Sequence, residues 1–151
     1  MAEAQAKPKL LLPFLQPFYD AVIPLSWPLI RITVGGTMLV HGIVKLMGPP
    51  IATVAAGFAK SGLEPSLLIA YVVYINETIG AVCIILGLFT RFFAASIAIE
   101  LAVISVMFFH NGYAWAQHGW EFVFMWGLIF LAIALRGGGP YSLDRKIGWE
   151  L

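Results

Sequence analysis

The sequence predicts an all-α protein, an integral membrane four-helix bundle with a short amphipathic interfacial helix between spans one and two. Of the 151 residues 60% are hydrophobic and 11% are charged, and the mean hydropathy is +0.88. A soluble domain carries about 25% charged residues, so this chain lacks the polar surface that a water-soluble fold needs. Its apolar stretches approach the ~20 residues that cross a bilayer core. None of these stretches alternates apolar and polar residues as a strand of a membrane barrel does, so the spans are predicted to be helices.

The first element is an N-terminal segment, residues 1–24, with a polar start and an apolar part interrupted by Pro13, Pro17 and Pro24. These prolines argue against a cleaved secretory signal. We expect the segment to stay attached and to lie along the cytoplasmic interface. A transmembrane domain over residues 25–136 and a cytoplasmic tail over residues 137–151 follow.

Four spans follow from the apolar stretches and their helix-breaking flanks. They cover residues 25–47, 67–88, 92–109 and 120–135. Between the first two, Ile51, Val54, Ala55 and Phe58 recur at helical spacing and Gly62 follows as a C-cap. This pattern predicts the short amphipathic helix at the membrane surface.

Lysine and arginine concentrate on one side of these spans. That side holds Lys7, Lys9, Arg91, Arg136, Arg145 and Lys146, and the other holds Lys45 and Lys60. The positive-inside rule therefore places both termini in the cytoplasm. With a net charge of +1, nothing suggests a nucleic-acid partner.

Four ionisable residues lie inside apolar stretches: Arg31, Lys45, Glu77 and Glu100. Each costs ~3 kcal/mol at membrane depth on insertion scales, so each needs a partner, a cavity or a function. A helical rise of about 1.5 Å per residue groups Arg31, Glu77 and Glu100 near mid-membrane, one cation between two carboxylates.

A second polar group is predicted at the outer end of the bundle. His41 and Lys45 are four residues apart and share one face of span one, and Glu121 begins span four at the same level. Glycines accompany the charges on two stripes, which predicts that these faces point inward, because glycine lets a neighbouring helix approach. The stripes are Arg31, Gly35, Met38, Gly42 and Lys45 on span one, and Glu77, Gly80, Ile84 and Gly87 on span two. Asn76 is expected to point about 100° away from Glu77.

Several uses of these groups stay open. For the buried charged residues the alternatives are a structural ion cluster, a pocket for a headgroup and a proton path. His41 is a satisfied buried histidine, a proton relay or a quinone hydrogen-bonding group. A bis-histidine haem needs His41 opposite His110 or His118, an off-centre arrangement that disfavours haem. No metal-ligand spacing appears, and the single Cys83 excludes an intrachain disulfide and a Cys-x-x-Cys pair.

A series of short motifs runs along residues 27–144. They are Arg31-x-x-x-Gly35, His41-Gly42-x-x-Lys45, Gly57-Phe58-Ala59-x-x-Gly62, Glu77-x-x-Gly80, Gly87-Leu88-x-Thr90-Arg91, Gly119-Trp120-Glu121 and Ser142-Leu143-Asp144. In order and spacing the series resembles the DoxX family. The chain departs from that pattern at Gly80-Ala81, where the family often has a glycine pair.

The resemblance implies a multi-pass protein of the bacterial inner membrane. Some relatives are subunits of a thiosulfate–quinone oxidoreductase, and others are linked to thiol and superoxide defence. We therefore expect a subunit of a quinone-linked or redox-associated complex, with lipid and other subunits or a second copy as partners. In this hypothesis His41 and Lys45 donate to a quinone carbonyl near the outer face. Arg31, Glu77 and Glu100 balance protons further in.

Two other functions remain: a non-catalytic accessory subunit beside a larger complex, and a small proton-coupled transporter. With one cysteine and no cofactor motif, the chain is not expected to be a complete redox enzyme alone.

Overall fold

The computed structural model describes residues 9–151, and all regular structure within that range is helical. The helices are α1 (Gln16–Leu46), α2 (Ile51–Lys60), α3 (Ser66–Leu86), α4 (Thr90–Phe108), α5 (Glu121–Arg136) and α6 (Leu143–Ile147). The predicted all-α class is confirmed. Residues 1–8, including Lys7 of the predicted charge asymmetry, lie outside the described range.

Three helical stretches are long and apolar enough to cross a membrane. They are Pro13–Leu46, Ser66–Leu86 and Thr90–Asn111. Helix α5 has 16 residues and is shorter than a full span. The fourth span therefore stays a prediction.

Helix α1 begins earlier than the sequence predicted. It starts at Gln16 and continues through Pro24 and Pro28, so the helix extends into the segment predicted to precede the first span, whose start in the membrane stays a prediction. Pro17 lies in the first turn, where a backbone N–H has no helical partner anyway. The two interior prolines each remove one backbone hydrogen bond, which a long helix in a membrane protein tolerates.

Glycines allow α1 and α3 to pack closely. A Cβ added at Gly42 would collide with the backbone carbonyl of Glu77, and one added at Gly35 would lie 2.9 Å from Ile85 Cγ1. The glycine-bearing stripe on α1 therefore faces α3, as predicted. This backbone contact fixes the register between the two helices, and with it the position of every polar side chain along their contact.

The centre of the bundle lies between α4 and α5. Ala94 and Ile97 of α4 and Phe130 and Ile133 of α5 are fully buried, and Met38 of α1 joins the same cluster. These side chains carry no polar atoms, so the core holds the helices together through packing alone.

The short helix α2 packs against α3. Its apolar side is turned toward the protein, since Ala55 is buried and Ile51, Val54 and Phe58 are half-buried. Its position at a membrane surface stays a prediction.

The C-terminal tail folds back onto one end of the bundle. The Asp144 carboxylate accepts hydrogen bonds from the backbone N–H groups of Phe89 (2.7 Å) and Thr90 (2.9 Å), and from the Thr90 hydroxyl (2.6 Å). These N–H groups start α4 and would otherwise lack a partner. The Asp144 N–H in turn donates to the carbonyl of Gly87 at 2.8 Å. The tail is therefore an integral part of the fold.

Candidate functional site

The site is built around an irregular turn in the middle of α3. Residues Asn76–Gly80 form a π-helical turn, which wraps an extra residue into the helix. Consecutive residues of a regular α-helix point about 100° apart. Here both Asn76 and Glu77 are buried, with 3% and 4% of their surface exposed. Asn76 faces α4 and Glu77 faces Lys45 on α1, so the two neighbouring residues contact different helices within one polar cluster.

Asn76 connects α3 to the buried carboxyl group of Glu100 on α4. Its Nδ2 donates to Glu100 Oε2 at 2.9 Å, and its Oδ1 accepts from the Ser96 hydroxyl at 2.9 Å. Ser96 and Glu100 lie four residues apart and therefore share a face of α4. That spacing is the signal in the sequence that identifies Ser96 as part of the site.

The counter-charge of Glu77 is Lys45. The Lys45 Nζ lies 2.5 Å from both carboxylate oxygens of Glu77. The Glu77 side chain is 5% exposed and that of Lys45 is 31% exposed, so the pair reaches from the interior toward the outer part of α1. Glu100 faces both groups of this pair. The cluster thus contains one cation and two carboxyl groups, and a proton on either carboxyl group makes it neutral.

The predicted grouping of Arg31 with Glu77 and Glu100 is wrong. Arg31 is fully buried, but its guanidinium donates to the backbone carbonyls of Ile84 (3.0 Å), Ile85 (3.2 Å) and Tyr141 (3.3 Å). The carbonyls of Ile84 and Ile85 lie at the end of α3, where the negative end of the helix dipole is, and the Ile84 carbonyl also accepts the Gly87 N–H at 3.2 Å. They offer a buried arginine a nearer acceptor than the carboxylates at the π-helical turn. Lys45 supplies the cation at those carboxylates instead.

The outer group of His41, Lys45 and Glu121 does not assemble. The exposed His41 ring packs against Trp126, with ring centroids 5.4 Å apart. Glu121 accepts a hydrogen bond from the backbone N–H of Trp115 at 3.2 Å. Lys45 turns toward Glu77, because the close α1–α3 contact brings that buried carboxylate within its reach.

An apolar groove leads to the polar cluster. It lies between α3 and α4, has a volume of about 310 Å³, and is lined by hydrophobic side chains except for Asn76, Ser96 and Glu100. Leu68 and Ile99 on its walls are 60% and 67% exposed, so the groove opens on the outer surface of the bundle. Its shape suits an amphipathic molecule with its polar end at the carboxyl group.

The Glu100 carboxyl group lies beside that of Glu77 and at the polar end of the groove, and one of its oxygens has no N–H or hydroxyl donor among residues 9–151. Glu100 is 8% exposed, and this oxygen, Oε1, is buried. A buried polar atom without a partner is unfavourable by ~1–3 kcal/mol, so it marks a place where a ligand or water belongs. Protonated at Oε1, Glu100 donates to a carbonyl; ionised, it accepts from a hydroxyl.

Within the described range, no three His, Cys, Asp or Glu side chains are placed to hold a metal ion together. Cys83 is a free, half-buried thiol.

Comparison with known proteins gives a consistent family assignment. A family model described as DoxX matches residues 26–111, which include Arg31, Lys45, Glu77 and Glu100. An uncharacterized protein of Haemophilus influenzae is 32% identical over 122 residues, covering 78% of this chain and 87% of that protein. No solved structure matches the chain significantly.

Proposed function

This chain belongs to the DoxX family, and we propose on that premise that it is a bacterial inner-membrane subunit that binds a quinone headgroup and relays protons for a redox-linked complex. The proposal rests on one observation. The unpartnered Oε1 of Glu100 is buried at the polar end of the apolar groove.

A quinone suits this groove because it combines a long apolar tail with two oxygens that exchange protons. Ligand sites are typically apolar pockets with a few placed polar groups, and the groove between α3 and α4 has that character. π-helical turns inside α-helices occur frequently at functional sites. The turn at Asn76–Gly80 supports a functional use of this part of α3.

The proposed chemistry follows from the two states of Glu100. Protonated Glu100 donates to the carbonyl of a quinone, and ionised Glu100 accepts from the hydroxyl of a quinol. Oxidation of one quinol to quinone releases two electrons and two protons. Glu100 receives the two protons one after the other and passes each to Glu77 and on to solvent beside the partly exposed Lys45, while a redox group of a partner subunit accepts the two electrons. Asn76 and Ser96 position the Glu100 carboxyl group.

The proposed topology has four spans. Helix α5, together with the residues before it, would cross the membrane as the fourth span, and both termini would lie in the cytoplasm. Lys45 would then connect the buried carboxyl groups with the outer surface.

The test compares matched variants for quinone content after purification in mild detergent from a quinone-producing bacterial host. Val103 lines the groove, and Val106 on the same helix is 75% exposed outside it. We expect Val103→Trp to lose bound quinone and Val106→Trp to retain it. Glu100→Leu removes the side-chain hydrogen bond to the quinone and should weaken binding by about tenfold, which corresponds to ~1.4 kcal/mol. Glu121→Leu is the matched carboxyl control. Equal quinone content in all four variants contradicts the proposal.

A second candidate is an accessory subunit that packs beside a larger complex. Its support is another groove, of about 340 Å³, between α4 and α5, lined by small residues that include Ala98, Ala102 and Gly127. Small residues let a further transmembrane helix approach closely. Stoichiometric co-purification with one membrane complex, without bound quinone, would favour this function over the first.

A further inference from the structure

The arginines near the end of α5 and on α6 form an unneutralised positive patch. Arg136 and Arg145 are exposed, and neither makes an ion pair within residues 9–151. The acidic groups around them are already engaged. Asp144 caps α4, and Glu150 pairs with Arg91 at 3.6 Å while accepting from the Gly138 N–H at 2.7 Å. The patch therefore has spare positive charge for an outside anion.

Both arginines line the same two clefts. One cleft, of about 540 Å³, lies within the folded tail, and the other, of about 560 Å³, lies between the tail and the start of α1. The first cleft is also lined by Asp144 and Glu150, whereas no carboxylate lines the second, where the two guanidinium groups repel each other. A phosphate between them replaces this repulsion with charge-assisted hydrogen bonds.

The second cleft has an apolar side that a small soluble anion would leave unused. It is lined by Ile23, Pro24 and Trp27 of α1, and Ile23 is 61% exposed. These residues belong to a stretch that can cross a membrane. The cleft thus presents basic groups next to a membrane-facing apolar surface, the arrangement that suits a lipid with a charged headgroup.

Trp27 and Arg136 are held in place at this cleft. The Trp27 indole N–H donates to the carbonyl of Gly137 at 2.9 Å. The Arg136 guanidinium stacks on the Trp27 ring at 4.9 Å from its centroid. A guanidinium fixed on an aromatic face keeps its N–H groups pointing outward and available for an anion. Arg145 approaches from α6 as the second cationic group.

We propose that this cleft binds the phosphate of an anionic phospholipid between Arg136 and Arg145, with the start of an acyl chain against Ile23 and Trp27. The bound lipid connects α1 to the folded tail. The site is separate from the groove at Glu100 and does not depend on the function proposed for it.

The test is native mass spectrometry of the delipidated full chain with phosphatidylglycerol and phosphatidylcholine supplied together. We expect the native chain to prefer phosphatidylglycerol. In Arg145→Gln this preference should fall about fivefold, which is the contribution of one basic side chain to binding an anionic lipid surface. Lys146→Gln removes the same charge from the neighbouring exposed residue, which lines neither cleft, and should keep the preference. Arg136→Gln should reduce it as Arg145→Gln does. Unchanged circular dichroism of each variant shows that the fold is retained.

Three results would overturn the proposal. The first is equal binding of the two lipids by the native chain, and the second is an equal loss of preference in Arg145→Gln and Lys146→Gln. The third concerns the source of the phosphate. If excess inorganic phosphate removes bound phosphatidylglycerol from the arginine site completely, the cleft serves a free anion and the lipid assignment is wrong.

Discussion

Glu77 carries a charge that the protein interior tolerates only because Lys45 reaches it. The carboxylate is 5% exposed, and both of its oxygens lie 2.5 Å from the Lys45 ammonium group. Removing one partner of a buried pair leaves the other uncompensated, which costs more than the pair itself contributes. Glu77 therefore depends on Lys45 for stability, whatever ligand the site takes.

Lys45→Met should lower the free energy of unfolding by roughly 2 kcal/mol, less than the 3–5 kcal/mol of a fully buried pair because Lys45 is partly exposed. The double variant Lys45→Met/Glu77→Gln should recover most of that loss, since it leaves no unpaired charge. Unfolding by SDS in mixed micelles measures the difference, with the exposed Lys60→Met as the control. A double variant as unstable as the single one would contradict this explanation.

The sequence identified Arg31, Glu77 and Glu100 as buried charges but missed Asp144, and it did not show how the charges pair. Arg31 and Lys45 both lie on the stripe of α1 that faces α3, so periodicity could not decide which of them meets Glu77. In the structure Arg31 binds the carbonyls of Ile84 and Ile85 at the end of α3, and Glu77 pairs with Lys45. The hydrogen bonds of Asn76 to Glu100 and Ser96 were missed because the sequence does not show which residues of α4 face the π-helical turn. No residue pattern in the sequence predicts that turn.

Among the elements, the closest approach of α1 to α3 is at Gly42, where a Cβ would meet the Glu77 backbone. We expect Gly42→Ala to cost roughly 2 kcal/mol, because the new methyl group collides with the Glu77 backbone carbonyl and the helices must separate. Gly36 is the matched control on the same helix, since a Cβ there meets nothing within 4 Å. Gly36→Ala should be neutral or should stabilise α1 by up to about 1 kcal/mol. Thermal unfolding in detergent compares the two, and equal destabilisation would argue against a close α1–α3 contact.

The start of α4 depends on Asp144 in the tail. In Asp144→Asn an amide N–H group replaces the oxygen that accepts from Thr90, so two donors face each other. We expect a loss of roughly 2 kcal/mol, the cost of a buried donor without an acceptor. Asp20→Asn is the control, since Asp20 is exposed and binds only the Gln16 side chain. Slower amide hydrogen exchange at the start of α4 in Asp144→Asn than in the native chain would contradict this role.

Helix positions were largely predictable, because apolar length and helix-breaking flanks reflect the demands of the membrane directly. The second and third spans were predicted within a few residues of Ser66–Leu86 and Thr90–Phe108. The start of α1 was not, because proline normally ends a helix in water and α1 contains Pro24 and Pro28. The folded tail was also missed, because it rests on a single carboxylate that binds backbone groups distant in sequence.

At the scale of the whole molecule, the proposed orientation in the membrane rests on the distribution of basic residues. In a Cys83→Ser background, Lys60→Cys and Lys146→Cys place one thiol on each predicted side of the membrane. Both positions are exposed in the folded chain. We expect a membrane-impermeant maleimide to label position 60 in intact spheroplasts, and position 146 only after permeabilisation, because basic residues are retained in the cytoplasm. The reverse pattern would invert the topology and would place Lys45 toward the cytoplasm.

The contacts of Arg31 and Trp27 set an order of events during synthesis. Their partners Tyr141 and Gly137 lie 110 residues further along the chain and leave the ribosome after every candidate span. While the first helix enters the membrane, the Arg31 guanidinium has no carbonyl of Tyr141 to bind. Insertion must therefore precede completion of this end of the bundle. A chain that stalls before residue 137 should carry its helices in the bilayer with that end still open, in a form that quality-control proteases can recognise as unfinished.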